Sequence, residues 1–168
     1  FSTLQEHQRY FPLEDAAGRL QPVFITVSNI ESRDPAKVRA GNERVVRPRL
    51  SDAEFFYLQD RKTPLAARLT GLETVTFQAK LGSIGDKTRR ITALSETIAS
   101  IIGADVSQAK RAAELAKCDL ISSMVGEFPE LQGVMGAYYA AADGEPGDVG
   151  TGIREHYMPR GAGEDRKS

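Results

Sequence analysis

The sequence of 168 residues has few of the side chains that metal and redox sites require. It contains one cysteine, two histidines and no tryptophan. A single cysteine, Cys118, excludes an intramolecular disulfide and a four-cysteine zinc site. This cysteine usage is typical of a reducing, cytoplasmic compartment. Two histidines, His7 and His156, are too few for a site that needs several of them.

The sequence also lacks an excess of charge of one sign and a long apolar run. Lys plus Arg number 22 and Asp plus Glu number 23, so the formal net charge is −1. This balance argues against nucleic-acid binding over the whole surface but leaves a local basic patch open. No apolar run approaches the roughly 20 residues that cross a bilayer, so we expect no membrane protein. Hydrophobic residues make up 40% of the chain, which is enough for a core.

Residues 1–50 are predicted to be the C-terminal part of a β-containing domain, with a hairpin followed by a basic loop. Residues 23–27 form a β-branched, apolar run, and Tyr10 and Phe11 are predicted to lie on the partner strand. Residues 14–18 supply the turn. We expect the chain to be a piece of a longer polypeptide, because it begins without a methionine inside an apparent strand.

The region after the hairpin changes from strand to helix signals. Asp34 followed by Pro35 favours a helix start, and a short helix is predicted to end at Gly41. A loop is predicted next, because Pro48 is incompatible with an ordinary helix interior. Ser51-Asp52-Ala53-Glu54 has the pattern of a capping box, so a second helix is predicted from residue 51 to about residue 62.

Arginines of the predicted loop are the first candidates for a functional site. Guanidinium groups pair with phosphate oxygens, and a proline-stiffened loop would hold them in place. The candidates are Arg44, Arg47 and Arg49. The alternative is that they form salt bridges that tie the loop to the next helix. The acidic residues available for such bridges are Asp52, Glu54 and Asp60.

The remaining chain, residues 51–160, is predicted to be helical, followed by a disordered tail over 161–168. Apolar residues at helical spacing predict a long helix that stops at Gly103, and Asp105 to Ser107 can cap the next one. Another helix is predicted from Pro129 to about Gly144, and a short one between residues 148 and 157. The predicted inner face of the helix from Pro129 is Leu131, Val134, Met135 and Tyr138.

A second basic group lies at the start of the long helix. Lys87, Arg89 and Arg90 follow Asp86, which is the predicted helix cap. Such a group can contact RNA or can be a solvated helix face.

Asp119 is an acidic residue on an otherwise apolar helix side, so it needs a partner, and Lys87 or Arg111 are the ordinary choices. Cys118 beside it is interpreted as a small core residue. Residues 126–136 combine glycines with apolar side chains, a pattern typical of tight backbone packing. No phosphate-binding loop, G-x-S-x-G, H-E-x-x-H or dinucleotide motif occurs in the sequence.

Nine stretches, in order along almost the whole chain, carry a family resemblance. They are residues 8–12, 24–32, 41–56, 77–82, 86–88, 117–120, 124–136, 143–145 and 155–160. This ordered set resembles the β subunit of bacterial glycyl-tRNA synthetases, and the resemblance places the chain in the middle of that subunit.

The resemblance implies a tetramer of two α and two β chains that attaches glycine to its tRNA. The α subunit would hold the active site, with ATP and Mg, and the β subunit would mainly recognise tRNA. The chain itself is then expected to be non-catalytic and to bind no cofactor. Its RNA contacts would be phosphate contacts from the two basic groups, Arg44, Arg47 and Arg49 first, and Lys87, Arg89 and Arg90 second.

The resemblance further implies a fold that is mainly α with an N-terminal β segment, in which a helical HD-like domain follows the β-containing domain. In this sequence the His-Asp pair of HD phosphohydrolases is matched by Cys118-Asp119, so its histidine is missing and a metal site is not expected. Two alternatives stay open. One is a structural hub that packs the β-subunit domains together and against the α subunit, which residues 126–136 would suit, and the other is a residual metal phosphohydrolase.

Overall fold

The computed structural model describes residues 4–5 and 9–159. Two compact units divide between Phe56 and Tyr57. The described part is mainly helical with a short N-terminal sheet, which confirms the predicted class. The predicted tail over 161–168 lies outside the described residues. None of the described helices is long and apolar enough to cross a membrane.

The first unit begins with the predicted hairpin. Strands β1 (Phe11–Glu14) and β2 (Leu20–Ile25) pair antiparallel. The facing pairs are Phe11 with Ile25, Pro12 with Phe24 and Glu14 with Leu20. Asp15 closes the turn, because its Oδ1 accepts hydrogen bonds from the N–H groups of Ala17 and Arg19, both at 2.9 Å.

Helix α1 (Pro35–Asp60) contradicts the sequence-based boundaries. The predicted end at Gly41, the basic loop after it and the cap at Ser51 are wrong, since all three positions lie inside one helix. Gly41 does not adopt a positive φ. Pro48 removes only the one donor that the carbonyl of Arg44 would have used, at a cost of about 3 kcal/mol, and helical residues continue on both sides of it.

A small core holds the hairpin against the first half of α1. Tyr10 and Val46 are each 6% exposed. The ring of Tyr10 lies 4.9 Å from that of Phe24, and its hydroxyl donates to Oδ1 of Asn42 at 2.9 Å. The basic side chains of α1 therefore belong to a helix anchored by this core.

The second unit is built from helices, 3₁₀ segments and one small hairpin. Its elements are a 3₁₀ segment (Leu65–Thr74), β3 (Thr76–Gln78), β4 (Gly82–Ser83), α2 (Ile84–Ile102), α3 (Val106–Leu115), a 3₁₀ turn (Cys118–Ile121), α4 (Ser123–Glu127), a 3₁₀ turn (Pro129–Leu131), α5 (Val134–Ala142) and α6 (Gly147–Glu155). Strands β3 and β4 pair antiparallel. The most deeply buried large apolar side chains are Leu65, Leu72, Leu115, Val149 and Ile153.

The two ends of α2 show which local sequence signals correctly predicted a helix boundary. Its cap is Ser83, not Asp86 as predicted: Ser83 Oγ accepts from the Asp86 N–H at 3.0 Å, and Asp86 Oδ2 accepts from the Ser83 N–H at 2.8 Å. The helix ends at Gly103, with φ 72°, as predicted. Asp105 caps α3, which confirms a second boundary.

The helix predicted from Pro129 is interrupted. Gly133 has φ 81°, so the 3₁₀ turn ends before it and α5 begins after it. The break shifts the buried face of the helix by one residue at this point. Tyr139 is 3% exposed, whereas Tyr138 is 52% exposed. The predicted inner face is therefore wrong at Tyr138. Helix α6 confirms the short helix predicted between residues 148 and 157.

Candidate nucleic-acid interface

Helix α1 separates the three arginines of the first basic group. At about 100° per residue, Arg44 and Arg47 are neighbours on one face, whereas Arg49 lies about 140° around the helix from Arg44. Arg44 is exposed and makes no ion pair with any described residue. The structure therefore brings two of the three predicted side chains together.

The salt bridge seen for Arg47 differs from the predicted alternatives. Arg47 Nη2 lies 3.4 Å from Glu43 Oε2 on the preceding turn of α1, and both side chains are largely exposed. Asp60, one of the proposed partners, is buried and pairs with Arg68 at 3.3 Å. An exposed pair of the Arg47 type contributes at most about 1 kcal/mol, so a phosphate can compete for this arginine.

The second basic group is also divided. Arg89 bonds to Glu73 and, at 2.5 Å, to Asp86, and these hydrogen bonds raise the pKa of its guanidinium. Lys87 Nζ lies 4.1 Å from the centroid of the Phe77 ring. Arg90 is exposed and has no ion-pair partner in the part of the chain that the structure describes. Because Arg89 is paired, Lys87 and Arg90 are the residues of the second basic group that remain available to contact a ligand. They are three residues apart on α2 and therefore neighbours on its surface.

A buried lysine that sequence reasoning missed lies close to Lys87. Lys117 is 6% exposed, and its Nζ is 2.8 Å from His156 Nε2 and 3.7 Å from the centroid of the Tyr157 ring. His156 Nδ1 lies 2.6 Å from the carbonyl oxygen of Ile153, so this nitrogen donates and Nε2 accepts from the lysine.

Lys117 and His156 form a hydrogen-bonded pair, and the charge of Lys87 acts on the pKa of both side chains. Burial, followed by the charge of Lys87, lowers the pKa of Lys117 to about 8. Burial also lowers the pKa of His156, and the charges of Lys117 and Lys87 add to this effect. No sequence signal could have found this pair, because its two residues are 39 positions apart in the chain.

Asp119 has different partners from those predicted. Its carboxylate is buried, and Oδ2 accepts from the N–H groups of Gly133 at 2.6 Å and Gly136 at 3.0 Å. Arg111 bonds to Glu145 instead, at 2.5 to 3.1 Å. Burial raises the pKa of the Asp119 carboxyl against the effect of these hydrogen bonds. Asp119 therefore fastens the 3₁₀ turn at 118–121 to the start of α5.

Metal-ligating and nucleophilic side chains do not converge in the described residues. No group of three or more His, Cys, Asp and Glu side chains there could hold a metal ion. Cys118 is buried, and its Sγ lies 3.7 Å from the carbonyl oxygen of Glu114. Burial raises the pKa of its thiol to about 12, so Cys118 is a core residue, as interpreted from the sequence.

Comparison with known proteins decides the family. A sequence model of the glycyl-tRNA synthetase β subunit matches residues 1–167. The chain belongs to this family.

Individual members of the family are close relatives. The glycine–tRNA ligase β subunit of Chromohalobacter salexigens is 58% identical over 164 residues, which are 98% of this chain and 24% of the relative. The corresponding subunit of Pseudomonas savastanoi is 59% identical over 162 residues, and that of Acinetobacter baumannii is 56% identical over 163 residues. The chain thus spans 24% of the length of these curated relatives.

The buried position of Lys117 predicts a pH dependence of stability. Its folded-state pKa of about 8 lies below the ordinary 10.5, so the unfolded chain binds the proton more tightly between these values. Through Lys117, the free energy of unfolding is therefore expected to rise by about 2–3 kcal/mol from pH 8 to pH 10.5. Urea unfolding of the wild type and of Lys117→Met across this range isolates the effect. Equal pH slopes for the two proteins would contradict it.

Proposed function

We propose that this chain is the part of a glycine–tRNA ligase β subunit that contacts the tRNA phosphate backbone. In this proposal an α subunit carries the active site, with ATP and Mg, in an assembly of two α and two β subunits that works in the cytoplasm. The chain has no catalytic residue and binds no cofactor. It supplies cationic side chains and a scaffold that holds them.

The observation that carries the proposal is that two exposed arginines form no ion pair with any described residue, in a chain whose family is that of the glycyl-tRNA synthetase β subunit. Arg44 and Arg90 keep their charge available to solvent in the described structure. Arg47 and Lys87 lie one helical turn from them on the same helices, and their present contacts are a weak surface pair and an aromatic ring. Phosphate recognition needs cations of this kind and no base-specific geometry.

The helical unit is proposed to be an HD-like scaffold that no longer holds a metal. Cys118 stands where the resemblance places the first histidine, and its thiol is buried and protonated. His156, the candidate histidine among the described residues, uses both ring nitrogens on other partners, Lys117 and the carbonyl of Ile153. An ammonium group next to the imidazole disfavours a cation at this position.

Neutral substitutions test the phosphate contacts. Arg44→Gln and Arg90→Gln are each expected to weaken binding of glycine-specific tRNA by a few-fold and to reduce the slope of log K against log salt by about 1. Fluorescence anisotropy at several salt concentrations measures both quantities. Arg89→Gln is expected to change the slope less, because Glu73 and Asp86 already neutralise this arginine.

Lys62→Gln is the matched control, since Lys62 is an exposed cation outside both basic groups. A slope that changes as much for Lys62→Gln as for Arg44→Gln would mean that the charge acts only through the net charge of the chain. Unchanged affinity and slope in both arginine variants would contradict the proposed phosphate contacts of Arg44 and Arg90.

A structural hub is the second candidate function, and an exposed apolar stripe on α2 favours it. Leu94, Ile98, Ile101 and Ile102 are between 52% and 78% exposed. The segment at 126–136 suits this role less, because Phe128 and Met135 are buried inside the unit. An α subunit that binds the wild type but not Ile98→Ser would support the hub.

A further inference from the structure

The hairpin formed by β3 and β4 presents an aromatic ring beside the second basic group. Phe77, in β3, is 38% exposed. Lys87 of α2 places its Nζ 4.1 Å from the centroid of this ring, a distance typical of a cation–π contact. A solvent-exposed aromatic surface and an ammonium group therefore lie side by side in the second unit.

The position of Phe77 relative to α2 is fixed by hydrogen bonds at the base of the hairpin. The N–H of Ile84 donates to the carbonyl of Val75 at 2.8 Å, which closes the hairpin where α2 begins. Asp86 Oδ2 accepts from the Ser83 N–H, also at 2.8 Å, and ties β4 to the first turn of the helix. The ring is thus held against the helix that carries the basic side chains.

The charge around this ring is positive. Three cations of the hairpin and of the first two turns of α2 form no ion pair with any described residue, and they are Lys80, Lys87 and Arg90. Both carboxylates of the region, Glu73 and Asp86, bond to Arg89. Because these acids are already paired, they do not neutralise the other three cations.

An unpaired nucleotide matches both properties of this surface. Its base offers a planar face that stacks on an aromatic side chain, and its phosphate offers the negative charge that the cations need. An acidic peptide without aromatic residues supplies the charge but no planar face. An apolar partner would bury the cations without a counter-charge, which is costly.

We propose that Phe77 is a stacking platform for an unpaired base of the bound RNA, while Lys80, Lys87 and Arg90 contact the phosphates next to that base. This role rests on the proposed function, which comprises phosphate contacts alone. It adds a preference of the hairpin for single-stranded RNA, because the faces of paired bases are covered inside a duplex.

Fluorescence anisotropy of the 168-residue chain with a labelled single-stranded RNA, and with a duplex of the same sequence, tests the proposal. Phe77→Leu keeps an apolar side chain but removes the ring. It is expected to weaken single-strand binding about fivefold or more, without changing duplex binding or the slope of log K against log salt. Phe77→Tyr keeps the ring and is expected to bind as the wild type does. Phe55→Leu is the matched control, because Phe55 is a 56% exposed ring outside both basic groups.

Nuclear magnetic resonance of the chain with labelled phenylalanine rings detects the stacking itself. The Phe77 ring protons are expected to move upfield as the single strand is added, since a stacked base shields them. Spectra without RNA verify that each variant folds. Equal single-strand affinity of Phe77→Leu and the wild type, unmoved Phe77 ring signals in the saturated complex, or absence of single-strand binding would each overturn the stacking role.

The stacking role and the proposed function fail separately. Unchanged salt slopes in Arg44→Gln and Arg90→Gln, together with weaker single-strand binding by Phe77→Leu, would contradict the phosphate contacts alone. Changed slopes in the arginine variants, together with an unaffected Phe77→Leu, would contradict the stacking alone.

Discussion

Asp60→Ala is expected to lower the free energy of unfolding by about 3–5 kcal/mol. The Asp60 carboxylate is 4% exposed and accepts hydrogen bonds from the N–H groups of Ser123 at 2.9 Å and Met124 at 2.8 Å. It also accepts from the Tyr139 hydroxyl at 3.0 Å and from Arg68 at 3.3 Å. Alanine would leave a buried guanidinium without its carboxylate and two backbone donors without an acceptor.

Urea unfolding followed by circular dichroism measures this loss. Asp52→Ala is the control, because Asp52 is an exposed aspartate of the same helix and its removal is expected to change the free energy by less than about 0.5 kcal/mol. If Asp60→Ala unfolds at the same urea concentration as Asp52→Ala, the Asp60 hydrogen bonds do not organise this unit.

Gly136→Ala is expected to cost about 1–3 kcal/mol through overpacking. A Cβ at residue 136 would lie 2.7 Å from Ile153 Cγ2 and 3.0 Å from Asp119 Oδ2. Relief of the first contact displaces the Ile153 side chain, and relief of the second moves the Asp119 carboxylate that accepts from the N–H groups of Gly133 and Gly136. Thermal unfolding is expected to show the loss as a lower midpoint.

Gly126→Ala is the matched control for this substitution. Gly126 lies in helix α4 with no atom within 4 Å of the added Cβ, so alanine there is expected to stabilise the chain by up to about 1 kcal/mol. Opposite signs for the two substitutions would support the close approach of α5 and α6. A Gly136→Ala variant as stable as the wild type would refute it.

Helix boundaries were predictable where a single residue carried the signal. Gly103 and Asp105 mark the end of α2 and the start of α3, because a left-handed C-terminal residue and a side-chain acceptor act within one helical turn. The same local reasoning failed at Pro48 and Gly133. A proline removes one donor without ending the cooperative helix around it, and whether a glycine takes a positive φ depends on the residues that pack against it.

The candidate site was predictable in part. Arg44, Arg47, Lys87 and Arg90 could be chosen from their charge and spacing, and the structure leaves them facing solvent or in weak contacts. That Arg89 is neutralised by Glu73 could not be read from the sequence, because the partner comes from a different element.

The partners of Lys117 and Asp119 likewise could not be predicted from the sequence. Lys117 meets His156 from a distant helix end, and Asp119 meets backbone N–H groups, which leave no side-chain signature in a sequence. The sequence shows which side chains are charged or can accept hydrogen bonds, but which groups they pair with depends on the tertiary fold.

Titration of the 168-residue chain with fluorescent glycine-specific tRNA at about 50 and about 200 mM salt tests the central claim most directly. We expect binding at the lower concentration and an affinity about tenfold or more weaker at the higher one, because phosphate contacts by several cations release counterions. Unrelated tRNA as competitor measures how far the contact depends on sequence. Absence of binding at the lower salt concentration, or binding that does not change with salt, would contradict phosphate recognition by this chain.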